Sequence, residues 1–222
     1  MSLLDLAERK RSQVPGNAAL YRRKFVETVC EVVAAGFARL NAASLAVKEE
    51  PAVTGLLVDQ MRAIVQSRDC PIGAENFSIH DDRPESGGEH EGKHRPRVDI
   101  VVEQAVPGPR PIFQFEAKRM NSTGSVAAYL GDDGLGCFLS SKYGKGASDA
   151  GMLGYVQSET PQDWSRKIET KLDQERSIHQ LDAVGTIWHK ETSVPSLAHL
   201  FRTKHTRDGD QFDVFHILLA CA

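Results

Sequence analysis

Hydrophobic periodicity divides the chain into a helical first third and a strand-rich remainder. Over residues 17–46, Phe25, Val29, Val32, Val33, Phe37 and Leu40 recur at three- and four-residue steps, a spacing that predicts one long amphipathic helix. A second helix is expected over about 50–67, where Val53, Leu57, Met61 and Ile64 line one face and Pro51 suits a first turn. The stretch HDDRPESGGEHEGKHRPR (80–97) has no period and carries charge, Gly and Pro, which predicts a loop. Two readings of it stand: a solvated connector, or a flap that orders on a polyanion through Lys93, His94, Arg95 and Arg97.

Beyond residue 97 the apolar runs shorten. RVDIVVEQ and IFQFEAKRM each read as a strand, and the turn-rich AVPGPRP between them predicts an antiparallel hairpin. A glycine-rich segment with a short helix around Cys137 to Lys142 comes next, then a strand at GMLGYVQS. PQDWSRKIETKLDQERS is a charged helix with an apolar stripe of Trp164, Ile168 and Leu172, and AVGTIWHKE and FDVFHILLACA are closing strands. Trp164 and Trp188 read as core residues. Helices, a hairpin, then alternating strands and helices predict an α/β fold with a mixed sheet covered on both faces. A length of 222 residues suits one such domain.

Composition narrows the function classes. Hydrophobic residues at 41% and charged residues at 26% fit a globular protein, and the formal charge of −3 gives no support to a general electrostatic hold on nucleic acid. A nucleic-acid partner must therefore be met by a local basic patch or through metal ions. Cys30, Cys70, Cys137 and Cys221 form no C-x-x-C pair, which argues against a zinc knuckle and for a reducing, cytoplasmic setting. No apolar run approaches the roughly 20 residues of a membrane span, and the start, MSLLDLAERKRSQVPG, has no apolar leader. No membrane association is expected.

The departures from pattern carry the chemistry. Alternation along a strand puts Gln114, Glu116 and Lys118 on one face, and hairpin pairing brings Asp99 beside Glu116. Two close carboxylates repel unless a cation sits between them, and oxygen ligands without Cys or paired His favour Mg²⁺ or Mn²⁺. Lys118 is placed to orient an attacking water or to stabilise charge on a phosphoryl oxygen. The bare E-x-K triplet occurs four times, but only Glu116–Lys118 closes an apolar strand that follows another strand bearing an Asp. The competing reading is an edge-strand ion pair contributing roughly 0–1 kcal/mol.

With these residues in place, VDIVV and FEAK resemble the PD-(D/E)XK nuclease superfamily, with its restriction-endonuclease-like fold. Asp99 matches the first acid and Glu116, Ala117 and Lys118 the E-x-K, while Val98 stands where the family usually has proline. The resemblance implies a catalytic core over about 50–190 in a single nuclease-like domain spanning 1–222, with an N-terminal helix at 17–46 and a C-terminal extension at 191–222. It implies Mg²⁺, replaceable by Mn²⁺, held by Asp99, Glu116 and the Ala117 carbonyl, with Lys118 catalytic. Glu50, or failing it Glu49, would add a further acid, although both also suit a helix N-terminus as ordinary dipole-facing carboxylates. The implied activity is phosphodiester hydrolysis in DNA. The implied setting is bacterial defence, as a homo-oligomer or with partner subunits. The alternative is a non-catalytic nucleic-acid-binding or scaffolding subunit that keeps the fold.

Basic residues supply candidate phosphate contacts: Lys142 and Lys145 in SSKYGKG, and Arg202, Lys204, His205 and Arg207 in the dense run RTKHTR. Each group also reads as a solvated charged surface. His90 and His94 have i, i+4 spacing, but in a loop without a helix signal, so no zinc site is expected there.

Overall fold

The N-terminal helices form with different ends from those predicted. The computed structural model of the protein describes residues 15–85, 95–107 and 110–222. Helix α1 (Pro15–Ala38) stops well before residue 46; Asn41 is extended, and a separate turn of helix, α2 (Ala42–Leu45), follows. Asn bonds readily to nearby backbone and leaves helices easily, and the break lets Leu45 enter the core completely. Helix α3 (Glu50–Val65) buries Val53, Leu57, Met61 and Ile64 as its spacing predicts, and it packs against α1.

The remaining elements build one seven-stranded mixed sheet in the order β1-β2-β3-β4-β7-β6-β5. The strands are β1 (Phe77–Pro84), β2 (Arg97–Gln104), β3 (Ile112–Met120), β4 (Asp149–Val156), β5 (His189–Lys190), β6 (Leu200–Arg207) and β7 (Asp210–Ala220). The first three form an antiparallel meander that includes the predicted hairpin. Two short helices, α4 (Ser125–Leu130) and α5 (Leu135–Leu139), cross over to β4, which runs parallel to β3. Helix α6 (Pro161–Gln174) begins at a capping box formed by Thr160 and Asp163.

Three expectations are corrected here. Residues 80–84 are the end of strand β1, not loop; the flap candidates Lys93 and His94 lie outside the described residues, and Arg97 pairs with Asp82. AVGTIWHKE contributes only the two residues of β5. The region 191–222 is not an extension, because β7 lies in the sheet interior, with Asp213–Ala220 running parallel to β4.

Each sheet face has its own apolar cluster. On one, Ile100, Val102, Phe113, Phe115 and Ala117 pack beneath α1 and α3; on the other, Val101, Met120 and Met152 of the strands cluster with Phe138 of α5 and Trp164 of α6. Strand β4 is buried throughout, and Gly151 lies where Phe115 crosses over it. A Cβ at Gly151 would sit 2.1 Å from the Phe115 ring, whereas one at Gly55, inside α3, would meet open space. Gly151→Ala is therefore expected to destabilise the protein by about 1–3 kcal/mol through overpacking. Gly55→Ala is expected to stabilise it by about 0.5–1 kcal/mol through helix propensity. Urea unfolding of the two variants checks the opposite signs.

Candidate active site

The site forms where β2 and β3 part. Their ladder runs from Glu103↔Ile112 to Ile100↔Phe115 and stops there, one pair short of Asp99 and Glu116. Beyond this point Ala117 and Arg119, whose backbone groups face the β2 side, have no strand to bond. The Asp99 carboxylate takes the Ala117 N–H at 2.7 Å, and the Glu50 carboxylate takes the Arg119 N–H at 3.2 Å. An orphaned buried N–H costs about 1–3 kcal/mol, so both acids repair the parting they sit in. A strand residue points its N–H and C=O to the same side, so the Ala117 carbonyl opens into the same gap.

The other side of β2 is also distorted. Asp82, opposite Asp99, has a left-handed φ of 47°, and the β1–β2 ladder skips that pair. Aspartate tolerates this conformation at modest cost. The Arg97 carbonyl accepts from the Tyr143 hydroxyl at 2.7 Å. Tyr143 rides on the loop between α5 and β4, and that loop is held by Arg207, whose guanidinium donates to the carbonyls of Phe138, Gly144 and Ala147.

Glu116 and Lys118 project from β3 onto one face, as the pleat requires. Lys118 Nζ lies 2.6 Å from Glu116 Oε1 and 3.8 Å from Glu50 Oε1. Glu116 is only 5% exposed, and its Oε2 has no hydrogen-bond partner. Burial, and then the adjacent Asp99 charge, push the Glu116 carboxyl from 4.5 up to about 8. Burial also raises Asp99 and Glu50. Burial pulls Lys118 down, but the Glu116, Glu50 and Asp99 carboxylates outweigh it, so the ammonium is held charged.

The structure thus brings Asp99, Glu116, Ala117, Lys118 and Glu50 together. Between the two candidate helix acids it selects Glu50; Glu49 is largely exposed and pairs outward with the Arg119 guanidinium at 2.9 Å. Strands β2 and β3 are interior strands, so Glu116–Lys118 is not an edge-strand pair. Among the described residues, no three His, Cys, Asp or Glu side chains already converge as a metal-ligand set. The donors nonetheless fit Mg²⁺ or Mn²⁺ chemically, since they are all oxygen and Glu116 Oε2 is buried without a partner.

The basic run 202–207 does not form one basic surface. It is strand β6, and the pleat places Arg202 and Lys204 on the sheet face opposite Glu116. Arg202 is ion-paired with Glu191 and Asp213, which leaves Lys204 exposed without an ion pair among the described residues. His205 and Arg207 face inward and are buried. His205 belongs to an internal chain, Tyr129–His216–Thr203–His205, that ends on the His179 carbonyl. Burial drives the His205 imidazole down to about 4, so it stays neutral there. Lys142 and Lys145 are exposed on the glycine-rich loop, where phosphate contact is sterically open. Sequence reasoning missed Tyr143, because its role depends on a carbonyl orphaned only when the strands part.

In comparisons with known proteins, the chain matches no family model, and no curated protein or solved structure is significantly similar to it.

The charge balance predicts a pH dependence. Glu116 is raised in the folded state, so its contribution to stability is fully present below about pH 4.5 and is lost as pH rises to about 8. Metal-free Glu116→Gln is therefore expected to melt higher than wild type at pH 8.5, with the difference shrinking toward pH 5. Thermal melts in EDTA across that range check the sign.

Proposed function

We propose that the protein is a divalent-metal-dependent nuclease of restriction-endonuclease-like fold that hydrolyses phosphodiester bonds in DNA. The observation that carries this reading is that Asp99, Glu116, Glu50 and Lys118 all lie at an interior parting of the sheet. Burying several carboxylates around one ammonium costs more than that single ion pair returns. Perturbed acids clustered beside a charged lysine are characteristic of reacting sites. The meander, the crossover and the parallel β4 are also consistent with the fold that the sequence resemblance implies.

In this reading Asp99, Glu116 and the Ala117 carbonyl would hold the metal, and Glu50 would close the site on the helix side. A bound Mg²⁺ or Mn²⁺ would polarise the phosphodiester and acidify a water. The Lys118 ammonium, fixed between Glu116 and Glu50, orients that water and meets the negative charge that grows on the phosphoryl oxygens. Hydrolysis adds the water's hydroxyl to phosphorus, breaks the bond to the departing sugar oxygen and returns a proton to that oxygen.

One observation favours the second reading, a non-catalytic scaffold. Asp99 and Glu50 already cap strand N–H groups, and Lys118 already pairs with Glu116, so each of these side chains has a structural partner without metal. Plasmid cleavage with Mg²⁺, Mn²⁺ or EDTA separates the two. The nuclease reading expects metal-dependent cleavage that falls by about 10²–10³ in Lys118→Ala, with the variant still folded at the assay temperature and DNA binding retained. Near-normal turnover in the variant removes Lys118 from the chemistry, and an inert wild type supports the scaffold.

A further inference from the structure

A groove of about 930 Å³ opens beside the site, on the same face of the sheet. Its floor includes Val101 of β2 and Gln114 of β3, and the loop from Ser140 to Asp149 forms one wall. Gln114 precedes Glu116 by two residues on the same side of the strand, so the floor begins about 7 Å from the acid cluster.

The lining is cationic although the chain as a whole is acidic. Five basic side chains face two carboxylates, against a formal charge of −3 for the protein. Both carboxylates are engaged internally. Glu85 accepts from Gln114 Nε2 at 3.1 Å and from the Gly144 N–H at 2.8 Å, and Asp149 is clasped by Arg22. The cations are less fully matched. Arg83 and Arg110 share one carboxylate, Glu103, at 3.0 and 2.8 Å, which leaves that trio with a net positive charge. Lys142 lies 3.6 Å from an almost fully exposed Asp133, and Lys145 has no ion pair among the described residues.

The shape and chemistry of the lining select the ligand. No aromatic side chain lines the groove among the described residues, so it offers no platform for stacked bases and instead presents charge to a backbone. Its volume falls in the range of pockets that enclose one compact ligand, which suits a short stretch of one strand.

We propose that this groove is an anchoring subsite for single-stranded nucleic acid, in which Arg83, Arg110, Lys142 and Lys145 hold the phosphates of the strand leading away from the cut. The position relative to a cut rests on the nuclease reading; the binding itself does not. Phosphate contacts of this kind are sequence-tolerant and strongly salt-dependent.

The test uses fluorescein-labelled oligothymidylate of about 12 nucleotides, within the site sizes usual for single-strand binders. A duplex of the same length is the control, both in EDTA so that nothing is cut. The variant is Arg110→Ala with Lys145→Ala, chosen because Glu103 keeps Arg83 and because Lys145 has no ion pair among the described residues; equal melting temperatures establish that it folds. Wild type is expected to bind the single strand more tightly than the duplex. In the double variant binding should weaken, and the slope of log affinity against log salt should flatten by about 1.4, or about 0.7 for each phosphate left without its cation. Wild-type affinity and slope in the double variant, or a wild-type preference for duplex, overturns the subsite. Absent cleavage together with Arg110- and Lys145-dependent binding defeats the nuclease reading and keeps the groove. Lys118-dependent cleavage with a double variant that binds as wild type does the reverse.

Discussion

The parting of β2 from β3 after the Ile100↔Phe115 pair is the constraint on which the rest of the site depends. A sheet that opens in its interior leaves donors and acceptors without partners, and each must be satisfied by a side chain or cost about 1–3 kcal/mol. Three side chains do this: Asp99 for the Ala117 N–H, Glu50 for the Arg119 N–H, and Tyr143 for the Arg97 carbonyl. Each comes from a different element, so the opening ties β2, α3 and the loop before β4 to one another. Arg207 extends that tie to β6 by fixing the loop that carries Tyr143.

The same geometry explains why the site is electrostatically uncomfortable. Acids that cap strand N–H groups are drawn to a common gap, and Glu116 lies near enough to feel the charges of both. Its carboxyl rises to about 8 because burial and the Asp99 charge outweigh the single lysine beside it. A fold selected for stability alone would place an apolar side chain on this buried strand, as Phe113 and Phe115 do on the opposite face. Stability given up at one locus, with the surroundings arranged to tolerate it, is the pattern expected of a reacting or ligand-binding site.

Much of this was legible in the sequence because it rests on short-range rules. The pleat put Glu116 and Lys118 on one face, the short AVPGPRP link made the hairpin, and Trp164, Ile168 and Leu172 marked the buried stripe of α6. What was hidden depends on distant partners. Strand β1 reads as loop because His80, Asp81 and Asp82 are polar, yet this edge strand needs only a ladder with β2 on one side. RTKHTR reads as a basic surface because inward-facing His and Arg look solvated until Thr203, His216 and three backbone carbonyls are found to receive them. The interior position of β7 follows from parallel pairing with β4 across a long crossover, which no local pattern encodes.

The central claim is that Asp99 binds metal as well as capping Ala117. Asp99→Asn separates those roles, since the amide oxygen can still accept the Ala117 N–H while the ligand charge is gone. The most direct measurement is Mn²⁺ uptake by wild type and Asp99→Asn, followed by electron paramagnetic resonance at pH 6.5 and pH 8.5. Wild type is predicted to bind Mn²⁺ more tightly at the higher pH, as Glu116 loses its proton, and the variant to melt no lower in EDTA yet lose most of that binding. A wild type that takes up no Mn²⁺ at pH 8.5, or a variant that binds it equally well, would contradict the account.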